Sequence, residues 1–179
     1  MFFSKRQSQI HDFNDWLGSL LHTHKIVVPG NHEFALEADP DMCRAITNAV
    51  LLIDEAITIA GLKIWGSPVT PLYGGAFGMS NPADRRRHWA RIPDGTDILV
   101  THGPPYGILD TAPGSTFHEG CPELLQAVIE IEPRLHVFGH IHGAYGTVRT
   151  AETIFVNAAL FGQAGDLDRY PIVLELSPR

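Results

Sequence analysis

Apolar residues recur along the chain with two periods, which separate predicted helices from predicted strands. Between residues 7 and 24 they lie three or four positions apart, which predicts one face of an amphipathic helix, formed by Ile10, Phe13, Trp16 or Leu17, and Leu20. A second helix is predicted over residues 121–133, with Pro122 near its start and Pro133 past its end. A polar helix or turn is predicted after Pro82.

Short apolar runs, many of them rich in β-branched residues, predict strands between and after these helices. They are KIVV (25–28), two or three strands within AVLLIDEAITIAGLKIWGSP, then DILV (97–100), LHVF, TVRT, TIFVNAA and YPIVLEL. Strands alternate with helices early and follow one another later, which predicts an α/β layered fold with mixed β-sheets flanked by helices. The length of 179 residues is that of one domain, residues 1–179.

Composition narrows the classes of partner. The formal net charge of −7 argues against a general binder of nucleic acid or of membrane surfaces, because both are anionic. No apolar run approaches the roughly 20 residues of a membrane span, and the start of the chain has no apolar signal segment. The two cysteines, Cys43 and Cys121, lie far apart, which suits free thiols in a cytoplasmic protein.

Three predicted strands each run into a loop that holds a histidine beside a glycine. The loops are Gly30-Asn31-His32, Thr101-His102-Gly103 and Gly139-His140-Ile141-His142. Because parallel strands bring their carboxyl ends to one edge of a sheet, we expect Asn31, His32, His102, His140 and His142 to converge. Imidazole nitrogens with an amide oxygen suit a divalent ion such as Mn, Fe, Zn, Ni or Co.

Packing alone is the alternative explanation for these histidines. A single buried histidine is more often a hydrogen-bonded core residue than a ligand, and GHIH alone is a weak signal. Three such loops in one small domain are harder to explain by packing, which would favour Val or Leu. His140 and His142 would share one site if they continued a strand, or serve two neighbouring ions if they lie in a loop. The other histidines lack such a setting and are expected at the surface or in the core: His11, His22, His24, His88, His118 and His136.

At these loops the sequence resembles the calcineurin-like metallophosphoesterase superfamily. The matching motifs, in the family's order, are GNHE (30–33), THGPP (101–105) and GHIH (139–142). The stretches FNDWLGSL, KIVVPGNHE, WGSPVTP, THGPPYGILD and FGHIHGAYG are similar to its MPPED-type branch (UPF0046, class III phosphodiesterases).

The resemblance implies a role for each residue. Asn31, His102 and His140 would ligate one divalent ion, His142 would ligate a second, and His32 would be the general acid. Such enzymes hold two ions about 3.5–4 Å apart and use them to activate a water that attacks phosphorus. The expected substrate is a small phosphate ester or nucleotide, bound by Asn31, His32, Gly103 and Tyr106, and its base would stack on Tyr73, Phe77 or Tyr106.

The resemblance fails at the amino-terminal end. The family's D-x-H and G-D-x-x motifs, which lie on its first two strands, do not occur before GNHE. We therefore expect an N-terminally truncated domain whose first strands are missing, together with the first-metal ligands and the bridging carboxylate. One ion would keep three ligands, Asn31, His102 and His140, and the other essentially His142 alone. Where the family holds two ions, this chain would hold one or none.

The missing strands also affect assembly. They would leave a sheet edge exposed, which favours a homo-oligomer.

The function implied by the resemblance is metal-dependent hydrolysis of phosphoric esters, as a phosphodiesterase or phosphatase, with manganese among the usable ions. The alternative is a catalytically impaired protein that binds a nucleotide or a metal. A purely structural zinc site is less favoured, because such sites usually contain cysteine and neither cysteine lies in the three loops.

Overall fold

The structure, a computed structural model, describes residues 7–71, 75–162, 167 and 169–177. Five α-helices, eight strands and one 3₁₀ turn follow one another in these residues. In chain order they are α1 (Gln7–Ser19), β1 (Ile26–Val27), α2 (Phe34–Ala38), α3 (Pro40–Arg44), β2 (Val50–Leu51), β3 (Glu55–Ile59), β4 (Leu62–Ser67), α4 (Pro82–Trp89), β5 (Ile98–Thr101), α5 (Pro122–Ile131), β6 (Leu135–Phe138), the 3₁₀ turn (His142–Ala144), β7 (Gly146–Arg149) and β8 (Ile154–Asn157).

A six-stranded mixed sheet carries two of the three histidine loops. Its strand order is β3-β4-β5-β6-β8-β7, in which β4, β5, β6 and β8 are mutually parallel and the two outer strands run antiparallel to their neighbours. Trp65, Leu99, Phe138 and Phe155 of this sheet pack with Trp89 of α4 in the main apolar core. The predicted α/β fold with a mixed sheet and flanking helices is confirmed.

Helices α4 and α5 are joined by a buried ion pair. Arg85 Nε lies 2.8 Å from the Glu123 carboxylate, and both side chains are 9% exposed. The Arg85 guanidinium also donates to the carbonyls of Met79 and Ser80. Both charges are largely shielded from water, so each depends on its partner. The ion pair therefore holds α4 against α5.

The third histidine loop follows a separate, smaller sheet. Strands β1 and β2 form a two-stranded parallel sheet, which packs with α1, α2 and α3 around a second apolar cluster of Ile10, Leu17, Leu36, Met42 and Ile46. The expectation that one parallel sheet carries all three loops was therefore wrong. The apolar run KIVV locates β1 in the sequence but does not specify the strand with which β1 pairs.

The predicted final strand is also absent. Residues 171–177 of YPIVLELS have no regular strand pairing, and the Val173 side chain is 87% exposed. A β-branched, apolar run forms a strand only when a neighbour supplies the other half of its hydrogen bonds. Among the described residues no helix is long and apolar enough to cross a membrane.

Candidate metal centre

The GNHE turn, which begins three residues after the end of β1, presents Asn31. The Gly30 N–H donates to the Glu33 carboxylate at 2.6 Å, and the Glu33 N–H donates back to the Gly30 carbonyl at 3.1 Å, which closes the turn. The Ala76 N–H donates to the Asn31 carbonyl at 2.9 Å, and a Cβ at Gly75 would lie 2.3 Å from that oxygen. Asn31 is thus held from both sides, with its amide directed at β5.

His102 follows β5 and meets the Asn31 amide. Its Nε2 lies 2.9 Å from Asn31 Oδ1, and its ring is buried against Gly30. A Cβ at Gly30 would lie 2.4 Å from His102 Cε1, so only glycine lets this ring reach Asn31. The loop after β1 and the loop after β5 belong to different sheets. They therefore meet because Gly30 has no side chain, and not because their strands pair.

His140 completes the group. It follows β6 in the left-handed region, with φ of 67°, and its Nδ1 lies 3.2 Å from His102 Nε2. The Gly139 N–H donates to the His102 carbonyl at 3.0 Å, which ties the two loops together. A left-handed histidine costs backbone free energy, and such residues cluster at functional sites.

The two distances from His102 Nε2 are those expected between neighbouring ligands of one divalent ion. When two ligand atoms each lie about 2.1 Å from an ion and the ligand–ion–ligand angle is a right angle, the two atoms are about 3.0 Å apart. The observed spacings of 2.9 and 3.2 Å match that value. Without an ion, His102 Nε2 has at most one hydrogen to share between Asn31 Oδ1 and His140 Nδ1. A cation would satisfy all three lone pairs.

Burial keeps both imidazoles neutral, the form in which they ligate metals. Burial lowers the pKa of His102 to about 3, and the nearby His140, His32 and His142 add to the effect. Burial likewise lowers the pKa of His140 to about 4, with His142 and His32 as further causes.

His32 and His142 adjoin this group of donor residues. Together with Asn31, His140 and Glu119 they line a cavity of about 350 Å³. His142 begins the 3₁₀ turn, and its carbonyl accepts from the Arg169 guanidinium. The structure thus brings together all five predicted polar residues, while their individual roles stay predictions.

The predicted substrate contacts are more scattered. Gly103 and Tyr106 do not line this cavity; Tyr106 is half exposed, with its ring 4.9 Å from that of His118. Phe77 packs partly buried against the cluster around α1 rather than on the cavity. Tyr73 lies outside the described residues.

Asn157, at the end of β8, is a positioning residue that the sequence analysis missed. Its fully buried amide donates to the carbonyls of Ile141 at 3.0 Å and Leu109 at 3.1 Å, and its Oδ1 accepts from the Ala159 N–H. It therefore holds the GHIH loop against the loop that follows His102. The available signal was a polar residue closing the apolar run TIFV.

Asp110 organises the loop between β5 and α5. Its carboxylate accepts from His118 Nδ1 at 2.8 Å and from the N–H groups of Gly107 and Gly120. Burial opposes ionisation, but these hydrogen bonds outweigh it and hold the pKa of Asp110 below its usual value. His118, expected at the surface or in the core, thus has a structural partner.

The ionisable side chains described at the centre do not form a metal site by themselves. Among the described residues, no three His, Cys, Asp or Glu side chains are grouped so that they could hold a metal ion. The cluster reaches three donors only because the Asn31 amide oxygen contributes one of them.

With this geometry established, comparison with known proteins decides the family. The family model described as calcineurin-like phosphoesterase matches residues 3–144. The chain belongs to the calcineurin-like phosphoesterase family. It is 37% identical over 199 residues to human metallophosphoesterase domain-containing protein 1, an alignment that covers 96% of this chain and 61% of the relative. The resemblance to the MPPED-type branch is confirmed.

Two further comparisons agree. A UPF0046 protein of Caenorhabditis elegans is 31% identical over 183 residues, which cover 94% of this chain and 62% of that protein. The crystal structure of TT1561 of Thermus thermophilus matches with a TM-score of 0.60 at 13% identity, over 88% of this chain and 72% of that one, and so shows the fold alone. This calcineurin-like phosphoesterase spans about three fifths of the length of these curated relatives.

Proposed function

We propose that the chain hydrolyses esters of phosphoric acid, including small nucleotides, with the help of divalent ions. The observation that carries the proposal is that His102 Nε2 lies 2.9 Å from Asn31 Oδ1 and 3.2 Å from His140 Nδ1, which are distances between neighbouring ligands on one ion. Family membership supports a phosphoesterase activity in general.

In this proposal four of the residues hold metal ions and one transfers a proton. Asn31, His102 and His140 hold the first ion, and His142 faces the second. A divalent ion held there would withdraw charge from the phosphate and activate a water for attack on phosphorus. His32, on the same cavity, donates a proton to the oxygen that leaves.

Two measurements test this assignment together. Mn²⁺ binding is followed by isothermal titration calorimetry, and hydrolysis of bis(p-nitrophenyl) phosphate is followed with added Mn²⁺. Asn31→Ala and His102→Ala should abolish both, whereas His32→Ala should retain metal binding and lower turnover. His22→Ala, at an exposed histidine outside the cluster, is the matched control and should change neither. If His32→Ala lost the metal, the assignment of His32 would be wrong.

A second function is favoured by the lack of a complete group of ionisable ligands. Because the described residues include no group of three or more His, Cys, Asp or Glu side chains that could hold a metal ion, the site would bind a metal or a nucleotide without turnover. Mn²⁺ binding that depends on Asn31 and His102, combined with no hydrolysis in the wild type, would support this second function and contradict the first.

A further inference from the structure

His136 of β6 is fully buried among apolar side chains of the main core. Its ring centroid lies 4.9 Å from that of Phe138 and 5.9 Å from that of Phe155, and both phenylalanines belong to that core. Val or Leu would ordinarily occupy such a position, because burying an imidazole removes its polar atoms from water. The histidine therefore costs free energy that an apolar residue would not.

The partner of the buried ring is the Thr101 hydroxyl at the end of β5. His136 pairs with Leu99 in the register of β5 and β6, and Thr101 lies two residues further along β5, on the same face of the sheet. His136 Nε2 lies 2.8 Å from Thr101 Oγ1, and the same hydroxyl donates to the Gly103 carbonyl at 2.7 Å.

These two contacts fix the position of the hydrogen on the ring. Burial lowers the pKa of His136 to about 3, so the ring is neutral and carries a single hydrogen. The Thr101 hydroxyl has only one hydrogen, which goes to Gly103, so the hydrogen of the other bond belongs to His136 Nε2. The other tautomer would bury an N–H at Nδ1, for which the described part of the chain offers no acceptor.

The resulting chain of hydrogen bonds encloses His102. Thr101 precedes His102 and Gly103 follows it, so the bond from the hydroxyl to the carbonyl closes the turn that presents the His102 ring. A hydroxyl rotates to suit its partners, and the His136 N–H occupies one of its lone pairs. This donation directs the hydroxyl hydrogen toward Gly103 and strengthens the second bond.

We propose that His136 is a positioning residue of the metal centre, which fixes the turn around His102 through the Thr101 hydroxyl. The inference rests on the proposed function, because it acts through His102 as a ligand. Outer partners of metal-binding histidines typically change metal affinity by 10–100-fold. Since His136 acts through one further residue, its removal should weaken Mn²⁺ binding by about tenfold, the lower end of that range.

Calorimetric Mn²⁺ titration and thermal unfolding in a chelator test this role together. His136→Leu should weaken Mn²⁺ binding about tenfold, whereas its Tm without metal should stay unchanged or rise, because an apolar side chain replaces the unpaired Nδ1. Phe155→Leu, in the same core and without a hydrogen bond to Thr101, is the matched control. It should lower the Tm and leave Mn²⁺ binding unchanged.

The hydrogen bond itself is tested by rescue and by a double-mutant cycle. His136→Gln, whose amide N–H can replace that of Nε2, should keep most of the Mn²⁺ affinity. Thr101→Val should weaken binding as His136→Leu does, and the double variant should bind no more weakly than either single variant. In the metal-free wild type, ¹⁵N NMR should show Nε2 of His136 protonated and Nδ1 unprotonated.

The outcomes separate this inference from the proposed function. Equal Mn²⁺ affinity of wild type and His102→Ala would contradict the metal centre, and the role of His136 with it. Loss of binding in His102→Ala with wild-type affinity in His136→Leu would overturn the role of His136 alone. A loss of affinity that follows the Tm in both His136→Leu and Phe155→Leu would also overturn it, because packing would then be the cause.

Discussion

Gly30→Ala tests the steric basis of the metal centre. The new methyl group would lie 2.4 Å from Cε1, 2.5 Å from Nδ1 and 2.9 Å from Nε2 of His102, whereas ordinary contacts begin at 3.4 Å. The ring must therefore retreat by about 1 Å, several times the roughly 0.2 Å tolerance of a metal–ligand distance. Because His102 is buried, its retreat also strains the core around it.

Two effects of different size follow from that displacement. Overpacking should lower the free energy of unfolding of the metal-free protein by about 1–3 kcal/mol. For a chain of this length, that corresponds to roughly 2–12 °C in Tm. Loss of one ligand should weaken Mn²⁺ binding by roughly 10–100-fold, the cost of disturbing a ligand's orientation in other metal sites.

The assay pairs calorimetric Mn²⁺ titration with thermal unfolding in the presence of a chelator. Gly78→Ala is the matched control, because its Cβ would meet nothing closer than the Gly75 carbonyl at 3.4 Å. If Gly30→Ala bound Mn²⁺ as tightly as the wild type, His102 would not be a ligand in the position described.

Three further substitutions probe the groups around the centre. Asn157→Ala should cost about 1–3 kcal/mol and weaken Mn²⁺ binding, because it leaves the buried Ile141 carbonyl between the two GHIH histidines without its donor. Asp110→Asn should destabilise the protein at pH 7 but little at low pH. The pKa of Asp110 is depressed by His118, so its contribution is present above about pH 4 and lost as the pH falls through the lower folded value. Arg85→Ala should cost up to about 3–5 kcal/mol, since it leaves the buried Glu123 carboxylate with only the Arg86 guanidinium, 3.9 Å away.

Urea unfolding measures all three, repeated between pH 7 and pH 3 for Asp110→Asn. Arg87→Ala, which breaks an exposed ion pair with Asp84, is the control for Arg85 and should change the free energy of unfolding by less than about 1 kcal/mol. A stability difference between Asp110→Asn and wild type that does not change with pH would contradict the assigned pKa direction.

The helices and the main sheet could be predicted because their signals are local. The apolar periodicity predicted α1, and prolines marked the starts of α4 and α5. The short helices α2 and α3 were missed, since five residues carry too little periodicity to distinguish a helix from a turn.

The composition of the candidate site could be predicted, but its assembly could not. The glycine-flanked loops after three strands identified Asn31, His102 and His140, which do lie in contact. The sequence did not show that β1 belongs to another sheet, because pairing between strands depends on residues far apart along the chain. Asn157 escaped for the same reason, since its importance lies in the two distant carbonyls that it binds.

The most direct test of the metal centre is an anomalous difference map from crystals of the protein soaked with Mn²⁺. We predict a peak within about 2.0–2.3 Å of Asn31 Oδ1, His102 Nε2 and His140 Nδ1 together. A map with no peak among these three atoms, while the side chains keep their positions, would contradict the metal centre.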